Sequence, residues 1–199
     1  MKHRRIGSRP LVTFRDVTLQ LRDRRILTHI NWSLRSDEHW AISGPNGSGK
    51  SVLARALCNA VPVVAGEIEY HFLDDRADGA RGRFLAPEDF VARVSFEDQR
   101  VLIGAESPYY QSRWNSSEGK GASTALDILL DGQSGFIASP HSSARRDAQA
   151  VKQSKIMKQL GIGQLLNRKL VRLSNGEARK VLIAKALLQD PLILILDEP

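Results

Sequence analysis

The chain has 199 residues, 42% hydrophobic and 26% charged, enough for one folded core with a small satellite and unlike a disordered or fibrous chain. Its 29 basic against 22 acidic side chains give a net charge of +7, which suits polyanionic neighbours: nucleic acid, anionic lipid headgroups or a nucleotide polyphosphate. The single cysteine, Cys58, excludes an internal disulfide and reads as a small buried helix residue, while the longest apolar runs, 60–65 and 192–196, fall far short of the roughly 20 residues that cross a bilayer.

Residues 1–10 open with MKHRRIGSR, which is basic and lacks an apolar centre. They read as a basic tail and not as a secretory signal, with a mitochondrial transit segment left open. Alternation of apolar and polar residues predicts strands over 11–21 (LVTFRDVTLQL), 26–34 and 40–43 (WAIS), then a helix over 48–60 and a strand over 66–72. The charged, glycine-broken stretch 73–90 is a surface excursion that Phe84 and Phe90 would anchor, and a strand over 91–96 leads into EDQR. A polar loop over 107–120 carries Tyr109, Tyr110 and Trp114, either a docking surface for a partner or ordinary packing. Helices are predicted over 124–130 and 144–160, the second with an imperfect apolar stripe of Ala148, Val151, Ile156 and Leu160. Its Arg145, Arg146, Lys152, Lys155 and Lys158 read as a solvated face before a nucleic-acid footprint. Ser174 stands three residues before Glu177 in capping-box spacing, a helix runs to 189, and Asp190 and Pro191 precede an apolar strand over 192–196. A strand apolar on both faces belongs in the middle of a covered sheet, so the fold class is α/β, with 104–173 as a mostly helical subdomain set into it.

The sequence GPNGSGKS at 44–51 lies between the expected strand WAIS and a helix. Gly44, Gly47 and Gly49 let the backbone turn so that the loop, completed by Pro45, Asn46 and Ser48, cradles phosphate oxygens at the positive end of that helix. Lys50 would add a point charge on the β- and γ-phosphates, and the Ser51 hydroxyl a ligand to Mg²⁺. Opposite such a loop, Asp197 at a strand end can hold Mg²⁺ through water, and Glu198 can polarise or deprotonate an attacking water.

Three separated signals then stand in order: GPNGSGKS at 44–51, LSNGE at 173–177 with the basic helix ARKVLIAKALL behind it, and LILILDEP at 192–199. From residue 11 onward the chain resembles the nucleotide-binding domain of the ATP-binding-cassette (ABC) superfamily of P-loop NTPases. The wording DEHWAISGPNGSGKS, VSFEDQR and LSNGE is similar to the soluble ATP-binding proteins grouped with molybdenum transport or photorepair. The resemblance implies an ABC-type core sheet with N-terminal antiparallel strands, ATP and Mg²⁺ as ligands, and ATP hydrolysis coupled to transport or another partner movement. It implies that Gln99 reaches the metal and the attacking water, that Glu198 is the catalytic base, and that Ser174 and Gly176 contact the γ-phosphate of ATP on a second nucleotide-binding domain, in a homodimer or a tandem partner. It also implies a cytoplasmic protein, peripheral on a membrane, whose residues 104–173 dock on a membrane-embedded transport subunit. The net charge keeps a soluble regulatory or nucleic-acid-associated ATPase as an alternative, and a noncatalytic truncated product is another.

Several positions depart from the pattern. Asn175 stands where glycine is usual, Glu177 where glutamine is usual, and Asp37 where a glycine makes the turn. Leu21 falls near the aromatic that stacks on adenine, with Arg22 or Arg24 as substitutes. Family members continue past DEP through a further strand and a γ-phosphate histidine, one absent strand lying between those ending at Ser43 and Asp197. Residues 11–199 are therefore expected to be an incomplete domain, weak or inactive alone and marginally stable.

Overall fold

The structure, a computed structural model, describes residues 9–73, 85–102, 123–130 and 147–198. The chain divides into two compact units, Met1–Pro87 and Glu88–Pro199. Among the described residues no helix is long and apolar enough to cross a membrane.

In the first unit β1 (Pro10–Leu21) pairs antiparallel with β2 (Arg24–Arg35) and with β3 (Val63–Tyr70), giving the sheet order β2-β1-β3. Val12 and Phe14 are buried, and so are Val17 and Leu19, so the buried parity changes between residues 14 and 17. A bulge absorbs that change. Asp16 adopts a left-handed φ of 52° where the β1–β2 register shifts, and His29 and Gly66 are left-handed at the same level of β2 and β3. A Cβ on Gly66 would lie 2.3 Å from the Arg15 carbonyl oxygen, so only glycine fits there. The bulge is pinned on its exposed side by His29 Nδ1, 2.8 Å from Asp16 Oδ1.

Helix α1 (Lys50–Leu57) follows, with Cys58 half-buried at its C-terminal cap. The expected strand at 40–43 does not form: residues 38–45 carry neither helix nor strand, and Trp40 and Ile42 are 55% and 45% exposed. An apolar segment becomes a strand only where a neighbouring backbone takes up its hydrogen bonds, and none of the described residues does so here. Trp40 instead packs edge-on against Trp32, which also stacks near Phe14.

In the second unit β4 (Val91–Ser95) pairs parallel with β5 (Ile193–Asp197), Val91 opposite Ile193 and Ser95 opposite Asp197. Residues 96–102 are helical, followed among the described residues by α2 (Ala125–Leu130), α3 (Ala148–Gln153), α4 (Lys155–Leu160) and α5 (Asn175–Leu187). Ala92, Val94, Leu129, Val151, Met157, Ile162, Leu170, Val181 and Leu182 form its continuous core. The expected single helix over 144–160 is two helices over its described part. Ser154, with an extended ψ of 146°, ends α3 and caps α4 by accepting from the Met157 amide. A serine whose hydroxyl binds the backbone competes with the helix, and the break shifts the apolar phase that made the stripe imperfect.

The closing strand also departs from the expectation of a fully covered one. Among the described residues it pairs with β4 alone, and Leu192 and Leu196 are exposed. Phe90 is buried as expected, and its carbonyl accepts from the amides of Leu192 and Ile193. Phe84, Tyr109, Tyr110, Trp114, Arg145, Arg146, much of 104–173 and most of the N-terminal tail lie outside the described residues.

Candidate functional site

The first unit carries the glycine loop. Gly47 and Gly49 have left-handed φ values of 78° and 94°, which let the chain turn directly into α1. At Gly49 a second constraint applies: an added Cβ would lie 2.9 Å from Leu27 Cδ2 of β2. The Lys50 ammonium donates to the carbonyls of Gly44 (3.0 Å) and Pro45 (2.9 Å), so it is folded back onto the loop that precedes it. The first turn of α1 contains no acidic side chain, leaving its positive end unopposed by the helix's own carboxylates. Pro45, Asn46, Gly47 and Ser48 are exposed around it, and Ser51 is half-buried on the helix.

Leu21 ends β1 and is exposed, and Arg22 and Asp23 form the turn into Arg24. Arg22 is left-handed, and its carbonyl accepts from Gln20 Nε2 at 2.8 Å. Asp37 lies in a turn at 36–37 without a left-handed φ, so the position does not demand glycine.

The second unit holds the remaining candidates. Gln99 is only 3% exposed, and its side-chain amide donates to both the main-chain carbonyl (3.1 Å) and the side-chain oxygen (3.3 Å) of Asn175. The structure thus joins Gln99 to the LSNGE loop through the residue that departs from the family pattern. Ser174 caps α5 in a full capping box: its hydroxyl accepts from the Glu177 amide, and its own amide and hydroxyl donate to Glu177 Oε2 at 2.8 and 3.0 Å. Those bonds, with Arg168 3.1 Å from Glu177 Oε1 and Lys180 nearby, hold the Glu177 carboxyl below its ordinary pKa. LSNGE is therefore anionic at neutral pH. Gly176 lies exposed in the first turn of α5, and a Cβ there would meet nothing within 4 Å.

Asp197 ends β5 half-buried, its Oδ2 3.1 Å from Arg93 Nη1 on β4. Glu198 is exposed with a left-handed φ of 56°, and its main-chain carbonyl accepts from Arg179 of α5. Two participants escaped the sequence reading. Arg93 was legible as a lone charge in the apolar strand VARVS. Asp98 was legible as the end of S-x-x-D, since Ser95 and Asp98 cap the helical residues 96–102 with bonds of 2.6 and 2.7 Å.

The donors expected to hold Mg²⁺ are the Ser51 hydroxyl, the Gln99 amide oxygen and the Asp197 carboxylate. All are hard oxygen groups, and no cluster of three His, Cys, Asp or Glu side chains that could hold a metal exists among the described residues. Taken each by itself, these oxygen groups have the donor chemistry that suits a hard divalent ion keeping much of its own water.

A sequence profile described as ABC transporter matches residues 27–199. ModF of Escherichia coli, an ABC transporter ATP-binding protein, is 32% identical over 186 residues, covering 92% of this chain and 31% of its own length. The zinc import ATP-binding protein ZnuC of Hydrogenovibrio crunogenus is 26% identical, covering 96% of this chain and 60% of its own. The chain thus spans between 31% and 60% of these relatives' length. Among solved structures, cbiO1 of Clostridium perfringens, part of the ABC transporter complex cbiONQ, superposes with a TM-score of 0.64 at 19% identity, over 96% of this chain and 66% of that one. The ADP conformation of MJ1267, an ATP-binding cassette of an ABC transporter, gives 0.61 at 16% identity, over 96% of this chain and 81% of that one. Both structures share the fold of this chain.

Proposed function

The chain belongs to the ABC transporter family, as a nucleotide-binding domain, and from that premise we propose that it binds ATP with Mg²⁺ and hydrolyses it as one half of a dimer. Residues 44–51 take the triphosphate. Lys50 leaves the carbonyls of Gly44 and Pro45 for the β- and γ-phosphates, exchanging two neutral acceptors for charged ones. Ser51, Gln99 and Asp197 hold the magnesium ion, which supplies neutralisation of phosphate charge. Glu198 accepts a proton from the water that attacks the γ-phosphorus, with the ADP oxygen leaving in line.

Ser174 and Gly176 meet the γ-phosphate of ATP held by a second copy or a tandem partner domain. The open space at Gly176 supports this, because glycine is a poorer helix former than alanine and no packing within the described residues asks for it. Turnover is coupled to a membrane-embedded transport subunit through the helical part of 104–173, and the protein works at the cytoplasmic side of that membrane. The zinc import and ATP-binding proteins among the relatives support a transport role. Lys152, Lys155 and Lys158 are exposed, as both a solvated face and a nucleic-acid footprint require.

The observation that carries the reading is the left-handed glycine loop with Lys50 folded onto it. The test is equilibrium binding of a fluorescent ATP analogue to the chain and to Lys50→Met. Loss of one charge-assisted phosphate contact is expected to weaken binding at least about tenfold, from about 1.5–3 kcal/mol per such bond. Equal binding by the two proteins overturns the phosphate-loop assignment. The 199 residues alone are expected to turn ATP over weakly, supported by the segment at 40–43 before the loop, which pairs with no strand among the described residues. Strong magnesium-dependent turnover by the isolated chain contradicts that expectation.

A further inference from the structure

Arg93 is a charged side chain in a strand whose neighbours Val91, Ala92, Val94 and Ser95 are all buried, and it is itself only 23% exposed. A guanidinium so placed is costly unless paired. Parallel pairing sets Ser95 opposite Asp197, and Arg93, two residues back on the same face of β4, reaches Asp197 Oδ2 at 3.1 Å. Its other nitrogen lies 4.0 Å from Asp98 Oδ1. Asp98 is fixed by Ser95 and immediately precedes Gln99. One guanidinium therefore lies between the carboxylate at the end of β5 and the turn that carries the buried glutamine.

We propose that Arg93 is a positioning residue that acts as a built-in counter-ion for Asp197, making divalent-cation uptake conditional on the nucleotide. The inference rests on the assignment of Asp197 to the metal site. With Arg93 in place, a bare divalent cation meets a carboxylate already neutralised and must displace or repel a fixed positive charge. A cation accompanied by phosphates brings its own negative charge, which the guanidinium tolerates or attracts. Asp98 attracts the second side of the guanidinium from 4.0 Å, which favours Arg93 staying near the site when Asp197 turns to the metal.

Mn²⁺, an oxygen-seeking paramagnetic substitute, reads this directly by electron paramagnetic resonance, without ATP turnover. In the nucleotide-free full chain Arg93→Met is expected to bind Mn²⁺ about tenfold or more tighter than the unaltered protein, as removal of a unit charge a few ångströms away predicts. Arg93→Lys, which keeps the charge, should bind Mn²⁺ as the unaltered chain does, and adding Asp197→Asn to Arg93→Met should abolish the gain. Equal Mn²⁺ affinity in Arg93→Met and the unaltered chain overturns the proposal, while a loss of Mn·ATP binding in Asp197→Asn leaves the Asp197 assignment standing. Unchanged Mn·ATP binding in Asp197→Asn overturns that assignment instead. A measurement on the unaltered chain covers poor folding of Arg93→Met: the ¹⁵N side-chain signal of Arg93 should move on addition of Mg·ATP and stay in place with Mg²⁺ alone. Movement with Mg²⁺ alone overturns the proposal.

Discussion

Glu177 serves two ends with one carboxylate. It completes the capping box with Ser174 and pairs with Arg168, and it puts negative charge on the loop expected to meet a phosphate. Its pKa is lowered first by the hydrogen bonds from Ser174, then by Arg168 and Lys180, against the opposing effect of burial. For a carboxyl with a lowered folded pKa, the stabilisation is fully present above the ordinary glutamate value and is lost as pH falls through the folded one. Denaturant titrations across that acidic range should show a weaker pH dependence in Glu177→Gln, whose amide can keep the cap without titrating. The same variant removes a negative charge and should strengthen ATP-dependent association of two copies. If its acid sensitivity equals that of the unaltered chain, Glu177 does not carry the effect. The capping box was legible because S-x-x-E before an apolar helix has one common physical meaning. The Gln99 bonds to Asn175 were not, since spacing along the chain says nothing about which residue 76 positions away will accept an amide.

At the level of elements, the sheet of the first unit depends on its bulge. Gly66→Ala would drive a Cβ into the carbonyls of Arg15 and Asp16 while requiring a left-handed alanine, so destabilisation of about 3 kcal/mol or more is expected by chemical denaturation. A loss under about 1 kcal/mol would mean that the three strands shift freely and the bulge is not fixed. Strands and helices with a strong period were legible: Pro10–Leu21, Arg24–Arg35 and Asn175–Leu187 fall close to the expected 11–21, 26–34 and 174–189. The failures have physical causes. WAIS lacks a ladder among the described residues, and Ser154 divides a helix because its hydroxyl serves the following turn. Neither a missing partner strand nor a local competition for backbone amides leaves a mark on periodicity.

For the molecule as a whole, the proposed working state joins this domain to a second nucleotide-binding domain, either another copy or a tandem partner. Glu198→Gln removes the proposed base and leaves the phosphate loop and the LSNGE loop as they are. With Mg·ATP it should lose turnover and accumulate as a dimer measurable by light scattering, while the nucleotide-free protein stays a monomer. A Glu198→Gln chain that remains monomeric with saturating ATP would contradict a site shared between two copies and leave the tandem partner. The candidate parts of that site stand out in the sequence because phosphate loops and acid-tipped strands repeat one local solution. Arg93 stands out in the sequence as a lone charge in VARVS, but its pairing with Asp197, 104 residues away, does not, because that comes from the register between β4 and β5 and not from neighbours in sequence.

The contact between Gly49 and Leu27 carries a consequence for how such a chain can evolve. The space around the glycine loop is partly set 22 positions upstream, in a half-buried residue that no motif search would mark. Drift can vary the exposed Arg24, Arg25 and Thr28 around it, whereas Leu27 occupies the space that a methyl group on Gly49 would need. The heritable unit of this site is therefore a loop together with one strand residue, and a graft that transplants the eight-residue motif without its leucine carries over only part of what shapes it.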